Sequence, residues 1–212
     1  MNVLLADDHT LIRAGLRAIL DAQPDICVVA EARDGRETLK LAVETHPDVI
    51  LLDISMPGLN GLEALIRLRE IAPQSAVVIL SMHKIEEYVA RALRAGALGY
   101  VLKDSPPHVL VSAVRAALAG EHYLSPPFNF TAIEDYQHRL GQDDSLLERL
   151  TSREREILQL LAEGHSTLSI ASQLKISPKT VESHRAHLMN KLELYDIASL
   201  TRFAVRSGMI SE

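Results

Sequence analysis

Cysteine is nearly absent from this sequence, with Cys27 the only one in 212 residues. A disulfide framework and a cysteine-rich zinc site each need several cysteines, so both are excluded. No apolar run approaches the roughly 18 residues that a membrane-spanning helix needs. Asp7 and Asp8 interrupt the apolar N-terminus too early for a secretory signal. We therefore expect a cytoplasmic protein with no membrane association.

Charge is distributed unevenly along the chain. Hydrophobic residues make up 47% and charged residues 24%, a globular composition that excludes a largely disordered chain. The formal net charge is −6, but residues 1–147 carry −7 and residues 148–212 carry +1. Within the second part, residues 175–191 carry +3. The length allows two small domains, and the charge asymmetry favours two modules with different partners.

Residues 1–119 alternate short apolar runs with longer amphipathic patterns. Runs rich in Val, Leu and Ile, typical of buried parallel strands, lie at 2–6, 26–30, 49–53, 76–81 and 99–102. Apolar residues at helical spacing lie at 10–22, 35–46, 61–70, 85–95 and 107–119. Five such units predict an α/β fold with a doubly wound, five-stranded parallel sheet. Cys27 falls in the second strand, where we expect it to be buried.

The chain changes character after residue 119. Glycine, prolines and an excess of acids predict a linker over residues 120–147. This stretch also holds four of the eight aromatic residues, Tyr123, Phe128, Phe130 and Tyr136, so a partly helical segment docked on one domain is an alternative to a flexible tether. From residue 148 onward only helical patterns occur, at 152–162, 167–174, 178–192 and 196–207. They predict a separate all-α, four-helix domain over residues 148–212.

Polar and charged side chains follow four of the five predicted strands. They are Asp7 and Asp8 after the first, Asp53 at the end of the third, Ser81 at the end of the fourth and Lys103 after the fifth. In a doubly wound sheet these strand ends share one edge. Clustered carboxylates suit Mg²⁺, and a carboxylate beside a cation and a lysine can accept a phosphoryl group. The alternative is that each aspartate only caps the following helix.

These residues resemble the receiver domain of response regulators over residues 1–120. The resemblance rests on segments 5–9, 51–58 and 99–103, on Asn60-Gly61 and on Ser81. It implies a flavodoxin-like strand order of 2-1-3-4-5.

The resemblance also implies a role for each pocket residue. Asp53 is the phosphoacceptor, while Asp8, Asp53 and the Ser55 backbone carbonyl hold Mg²⁺ and Asp7 acts through water. Ser81 and Lys103 contact the phosphoryl group, and Tyr100 is the switch aromatic that swings inward when the Ser81 hydroxyl moves toward phosphate. His9 is expected to begin a helix without acting as a ligand.

Residues 166–192 predict a helix, a short turn and a second, basic helix. Ser177 can cap the second helix, and Pro178 suits its first position. Such a helix pair fits the DNA major groove, although a solvated basic face is the alternative. This segment, with residues 150–158 before it, resembles the LuxR-type helix-turn-helix domain. The resemblance implies phosphate contacts from Lys179, Thr180, Arg185 and Lys191 and base-edge contacts from Glu182 and Ser183.

The last helix resembles the dimerisation helix of that family. Its apolar residues Leu200, Phe203 and Ala204 are the implied dimer contacts, and packing onto the preceding helices is the alternative. As a whole the chain resembles the NarL/FixJ class of response regulators. The implied partners are a sensor histidine kinase, double-stranded promoter DNA, a second copy of the chain and RNA polymerase.

The expected function is regulation of transcription by Mg²⁺-dependent phosphorylation of Asp53, which controls dimerisation and sequence-specific DNA binding. We expect no enzyme activity beyond phosphorylation from a donor and autodephosphorylation. Two rival hypotheses are a regulator that works without phosphorylation and a magnesium-dependent phosphatase of the haloacid dehalogenase type. The complete pocket argues against the first. The second needs two acids spaced Asp-x-Asp, whereas Asp7 and Asp8 are adjacent.

Overall fold

A computed structural model describes residues 1–133, 146–147 and 149–210. The chain forms two compact units, divided between Arg139 and Leu140. In the first unit the strands are β1 (Asn2–Ala6), β2 (Cys27–Ala32), β3 (Val49–Asp53), β4 (Ala76–Ser81), β5 (Gly99–Leu102) and β6 (Tyr123–Leu124). The helices between them are α1 (Thr10–Asp21), α2 (Gly35–Thr45), α3 (Gly61–Ile71), α4 (Glu86–Arg94) and α5 (Pro107–Leu118).

The strands form one parallel sheet in the order β2-β1-β3-β4-β5-β6. This confirms the doubly wound α/β fold and the order 2-1-3-4-5 of its first five strands. The sheet has six strands rather than the predicted five, because Tyr123 pairs with Gly99 and Leu124 with Tyr100 at the edge of β5.

Two hydrophobic clusters cover the two faces of the sheet. One includes Leu52, Ile79 and Tyr100, and the other includes Leu51 and Val101. Neighbouring strand residues enter opposite clusters because side chains alternate along a strand. All five residues of β3 are buried, as expected for a central strand with helices on both faces. The end of β3, where Asp53 lies, is therefore held from both sides.

Part of the predicted linker belongs to the first unit. Besides β6, Ser125 is fully buried and Ile133 is 1% exposed, and residues 130–133 are helical. Residues 123–133 therefore pack on the first unit, as in the alternative of a docked segment. Tyr136 and the rest of 134–145 lie outside the described residues.

Cys27 is exposed rather than buried. It lies on β2, which forms one edge of the sheet, and the burial of this strand alternates along its first half. An edge strand can present one face to solvent, so the expectation of burial was wrong.

The second unit contains four helices among its described residues: α6 (Ser152–Ala162), α7 (Thr167–Leu174), α8 (Pro178–Leu192) and α9 (Ile197–Arg206). This confirms the predicted all-helical domain. Its core includes Ile157, Ile170, Val181, Leu188 and Leu200, so every helix contributes to one cluster. Across the part of the chain that is described, no helix has the length and apolarity needed to cross a bilayer.

Candidate functional site

The ends of β1, β3 and β5 bring three charged side chains into one buried pocket: Asp7 follows β1, Asp53 is the last residue of β3, and Lys103 follows β5. The side chains of Asp7 and Asp53 are 0% and 2% exposed, and that of Lys103 is 4% exposed. Lys103 Nζ lies 2.7 Å from Asp7 Oδ2 and 2.8 Å from Asp53 Oδ2. One ammonium group therefore faces two buried carboxylates, which leaves the pocket with an excess of negative charge.

Burial and neighbouring charges shift the pKa values of Asp53 and Lys103. Desolvation raises the pKa of Asp53 to about 6, even though the charge of Lys103 opposes the rise. Burial alone would lower the pKa of Lys103, but the carboxylates of Asp53 and Asp7 outweigh it, and that pKa is raised. Near neutral pH Asp53 is therefore ionised and available as a nucleophile, while Lys103 stays protonated.

The start of α3 packs closely against the end of β3, where Asp53 lies. The Gly61 N–H donates to the Ile54 carbonyl at 2.8 Å, and Asn60 caps α3 by accepting from the Glu63 N–H at 3.0 Å. A Cβ at Gly61 would lie 2.0 Å from the Asp53 carbonyl oxygen. Only glycine permits this approach of α3 to the end of β3. Nearer the carboxylate, the Ser55 N–H donates to Asp53 Oδ1 at 3.2 Å.

Asp8 and His9 complete the acidic cluster at the surface. Ligand atoms of Asp7, Asp8, His9 and Asp53 all lie within 4.8 Å of one another. His9 Nδ1 is 2.8 Å from Asp8 Oδ1, and the imidazole is 59% exposed. His9 was predicted only to begin a helix, which it does as the N-cap of α1, and its contact with Asp8 was missed. Its position directly after the two aspartates was the available signal.

The donor atoms of this cluster fit a hard divalent cation. Asp7 Oδ2, Asp8 Oδ1 and Asp53 Oδ2 are buried without a hydrogen bond of ordinary geometry, although Lys103 or His9 lies within 2.8 Å of each. Buried carboxylate oxygens that lack hydrogen bonds are costly. Carboxylate oxygens are also the ligands that Mg²⁺ prefers.

Ser81, His83 and Tyr100 form a connected group beside the pocket. Ser81 is 1% exposed and its Oγ accepts from the His83 N–H at 3.0 Å. The Tyr100 side chain is fully buried, and its hydroxyl donates to the His83 carbonyl at 3.0 Å. Burial raises the pKa of Tyr100. Tyr100 therefore occupies an inward position that is fixed through the same loop that contacts Ser81.

By the resemblance to receiver domains, His83, like Ser55, falls at a position that tunes dephosphorylation, and it contacts several groups beside the pocket. Its Nε2 lies 3.3 Å from Ser55 Oγ, and its ring stacks on Tyr88 with centroids 4.6 Å apart. Burial, together with the charge of Lys103, lowers the pKa of His83. The imidazole is consequently neutral near pH 7.

The second unit presents α8 as a partly exposed basic helix. The Ser177 Oγ caps it by accepting from the Thr180 N–H at 3.1 Å, and Pro178 occupies its first position. Lys179, Glu182 and Ser183 are exposed, whereas Thr180 and Arg185 are half-buried. The side of α8 that carries Lys179, Glu182 and Ser183 therefore faces solvent and is accessible to a partner molecule.

Lys191 differs from the other predicted DNA contacts because its charge is already paired. Its Nζ lies 2.7 Å from Glu154 Oε2, and Glu154 also belongs to the capping box of α6 with Thr151. Glu154 is 3% exposed. The glutamate therefore ties the end of α8 to the start of α6, a link that local sequence patterns could not reveal.

The structure buries two of the three predicted dimer contacts on α9, and the dimer itself stays a prediction. Leu200 and Ala204 are 0% exposed and belong to the core of the domain, and Phe203 packs against that core. A second chain could reach Leu200 and Ala204 only if the core opened, whereas Phe203 is half-buried. The apolar stripe of α9 therefore packs inside the domain, which is the alternative of packing onto the preceding helices.

Both halves of the chain match known families. Residues 3–115 match the family described as the response regulator receiver domain. Residues 148–204 match the family described as bacterial regulatory proteins of the luxR family.

Several known proteins resemble the chain over nearly its whole length. The oxygen regulatory protein NreC of Staphylococcus carnosus (strain TM300) is 38% identical over 215 residues, which cover 99% of each chain. The crystal structure of the response regulator ChrA, from a heme-sensing two-component system, is 36% identical with a TM-score of 0.52 and covers 99% of this chain and 98% of that one. RcsB of Salmonella enterica serovar Typhimurium, solved on promoter DNA with a phosphomimetic BeF₃⁻, is 27% identical with a TM-score of 0.64 and covers 96% and 97% of the two chains.

Proposed function

The chain belongs to the two-component response regulators with a receiver domain and a LuxR-type DNA-binding domain, and from this premise we propose that phosphorylation of Asp53 controls its binding to promoter DNA. The observation that carries the proposal is the buried pocket in which Lys103 lies 2.7–2.8 Å from both Asp7 and Asp53.

Asp53 is the nucleophile of the proposed reaction. A carboxylate oxygen of Asp53 attacks the phosphorus of a phosphohistidine on a sensor kinase, the P–N bond breaks, and an acyl phosphate forms on Asp53. Lys103 stabilises the charge of the transferred group. Asp8, Asp53 and the Ser55 carbonyl would hold Mg²⁺, with Asp7 acting through water, and the cation would neutralise charge on the phosphoryl oxygens.

Ser81 and Tyr100 convert the new phosphoryl group into a change of conformation. The Ser81 hydroxyl turns toward the phosphoryl group, and Tyr100 takes the inward position that its hydrogen bond to the His83 carbonyl stabilises. The arrangement in the structure then corresponds to the signalling state. An outward Tyr100 would represent the resting state.

The exposed side of α8 carries the proposed DNA contacts. Lys179, Thr180 and Arg185 bind phosphates, which supplies affinity and salt dependence, while Glu182 and Ser183 face base edges and supply specificity. Lys191 contributes less than the sequence suggested, because Glu154 already pairs with its ammonium group.

Phosphorylation acts by favouring a dimer on two half-sites about one helical turn apart. Since Leu200 and Ala204 are internal, dimer contacts on α9 come from its exposed side, which includes Ile197, 40% exposed. RNA polymerase is a further partner. The only chemistry expected of the chain is its own phosphorylation and dephosphorylation.

Intact-protein mass spectrometry after incubation with acetyl phosphate and Mg²⁺ tests the phosphoacceptor. We expect the wild type to gain one phosphoryl group and Asp53→Ala to gain none. Lack of any gain in folded wild-type protein would reject the proposed phosphorylation. An equal gain in Asp53→Ala would place the acceptor elsewhere.

A further inference from the structure

Residues 123–133 are anchored to the backbone of the strand that carries Tyr100. The Ser125 N–H donates to the Tyr100 carbonyl at 2.9 Å, and the Leu102 N–H donates to Ser125 Oγ at 3.0 Å. Ser125 is fully buried. Ser125 thus extends the pairing of β6 with β5, and it holds the segment at Tyr100 and at Leu102.

The side chains of the segment pack against the Tyr100 ring. The Phe128 ring meets it edge to face, with centroids 5.5 Å apart and an interplanar angle of 86°. Phe128 and Leu124 pack against the same hydrophobic cluster that contains Tyr100, and Ile133 belongs to that cluster. The contact exists because the Tyr100 side chain is turned inward.

We propose that residues 123–133 are a docking strap that reports the position of Tyr100 to the connection between the two domains. With Tyr100 inward, Phe128 has its ring partner and the strap stays on the sheet. With Tyr100 outward, Phe128 faces a vacated site and the strap loosens. The regulatory part of this inference rests on the proposed phosphorylation of Asp53.

Release of the strap would change how far the DNA-binding domain can move. The residues that follow Leu124 in the strap can add up to about 30 Å of extended chain at roughly 3.3–3.6 Å per residue. Phosphorylation, by favouring the inward Tyr100, would shorten this free connection. The receiver would thereby restrict the DNA-binding domain through the chain that joins them.

Hydrogen–deuterium exchange of the full-length protein tests the strap. In wild type, acetyl phosphate with Mg²⁺ should slow exchange in residues 123–133, by about 2- to 12-fold if one aromatic pair is gained. Phe128→Ala should lose this slowing. Phe130→Ala is the matched control, because the Phe130 ring is 39% exposed and contacts His122 instead, and it should respond as the wild type does.

Two outcomes would overturn the strap. One is unchanged exchange in 123–133 although intact mass shows a phosphorylated wild type. The other is equal slowing in Phe128→Ala and Phe130→Ala.

Failure of the proposed function is recognised separately, as the absence of a mass gain in wild type. In that case the contact between Tyr100 and the strap is tested by the exchange of Tyr100→Ala, measured without acetyl phosphate. Faster exchange confined to 123–133 supports the contact, and unchanged exchange rejects it.

Discussion

At the scale of single residues, the pocket buries the charge of Asp53, which is unfavourable, although the proposed phosphorylation uses the same carboxylate. Asp53 is ionised in a site where desolvation raises its pKa to about 6, and Lys103 serves two carboxylates at once. The negative charge that makes Asp53 reactive is thus unfavourable for folding in the absence of a cation. The proposed phosphorylation would therefore be coupled to stability through the same carboxylate.

Asp53→Asn should stabilise the metal-free protein at pH 7.5 by about 3 kcal/mol, because it removes a buried charge. The raised pKa means that folded Asp53 takes up a proton more readily than the unfolded chain does. Its protonation on acidification through pH 6 should therefore shrink the difference between variant and wild type, which should nearly vanish below pH 4. Urea unfolding in EDTA, followed by circular dichroism, measures this. A gap that is independent of pH would contradict the burial effect.

Gly61→Ala should destabilise the protein by about 1–3 kcal/mol, the usual cost of overpacking, and slow phosphorylation by acetyl phosphate. The new Cβ would collide with the Asp53 carbonyl oxygen and displace the nucleophile. Gly15→Ala is the control: a Cβ there meets nothing within 4 Å, and alanine should stabilise α1 by about 0.5–1 kcal/mol. Normal phosphorylation and stability in Gly61→Ala would refute the role of this close approach.

At the scale of secondary-structure elements, helix caps fix the domain that carries α8. Thr151, Ser166 and Ser177 each accept a backbone N–H three residues later, at the starts of α6, α7 and α8. These side chains satisfy N–H groups that a helix start leaves without partners. The caps set where α8 begins and hence where Lys179 lies.

Ser177→Ala should lower the free energy of unfolding by about 1 kcal/mol through loss of the α8 cap and weaken DNA binding in proportion to the loosened helix start. Ser183→Ala, within the exposed part of the same helix, should leave stability within about 0.5 kcal/mol of wild type. Thermal unfolding of both variants gives the comparison. Equal stability of the two would argue against the cap.

Local signals account for what the sequence predicted correctly. The bounds of α6, α7 and α8 agree with the prediction because a capping residue precedes each helix. The two-residue strand β6 was missed because Tyr123–Leu124 is too short for a pattern, and its pairing with β5 is non-local. The sequence left two assignments open for the apolar stripe of α9, because a core face and a dimer face have the same spacing of apolar residues.

The pocket shows the same division between local and tertiary information. The carboxyl ends of parallel strands lie at one edge of the sheet, and this brings together Asp7, Asp53 and Lys103 as the sequence predicts. The contacts of His83 with Ser55 and of Glu154 with Lys191 depend on packing between distant elements. No local sequence pattern could supply them.

At the scale of the whole molecule, charge is divided between the two functions. The net charge is −6 overall, while residues 175–191 carry +3. If α8 carries the DNA contacts as proposed, one basic helix attracts DNA to an otherwise acidic chain, and binding should depend strongly on salt.

The salt dependence of DNA binding should separate two neighbouring residues of α8. Lys179→Ala should weaken binding evenly across sequences and reduce the slope of log affinity against log salt by about 1. Glu182→Ala should leave the slope nearly unchanged and alter the preferred sequence instead. Fluorescence anisotropy with a selected and a scrambled DNA duplex measures both quantities. Similar effects of the two variants on every duplex would contradict these roles.

The most direct measurement of phosphorylation-controlled DNA binding is the affinity of full-length protein for a duplex selected from random sequences, with and without acetyl phosphate and Mg²⁺. The phosphorylated fraction of each sample is read by intact mass. We predict that affinity rises with the phosphorylated fraction in wild type and does not respond to the donor in Asp53→Ala. An unchanged affinity in wild type that is fully phosphorylated would contradict control of DNA binding by Asp53.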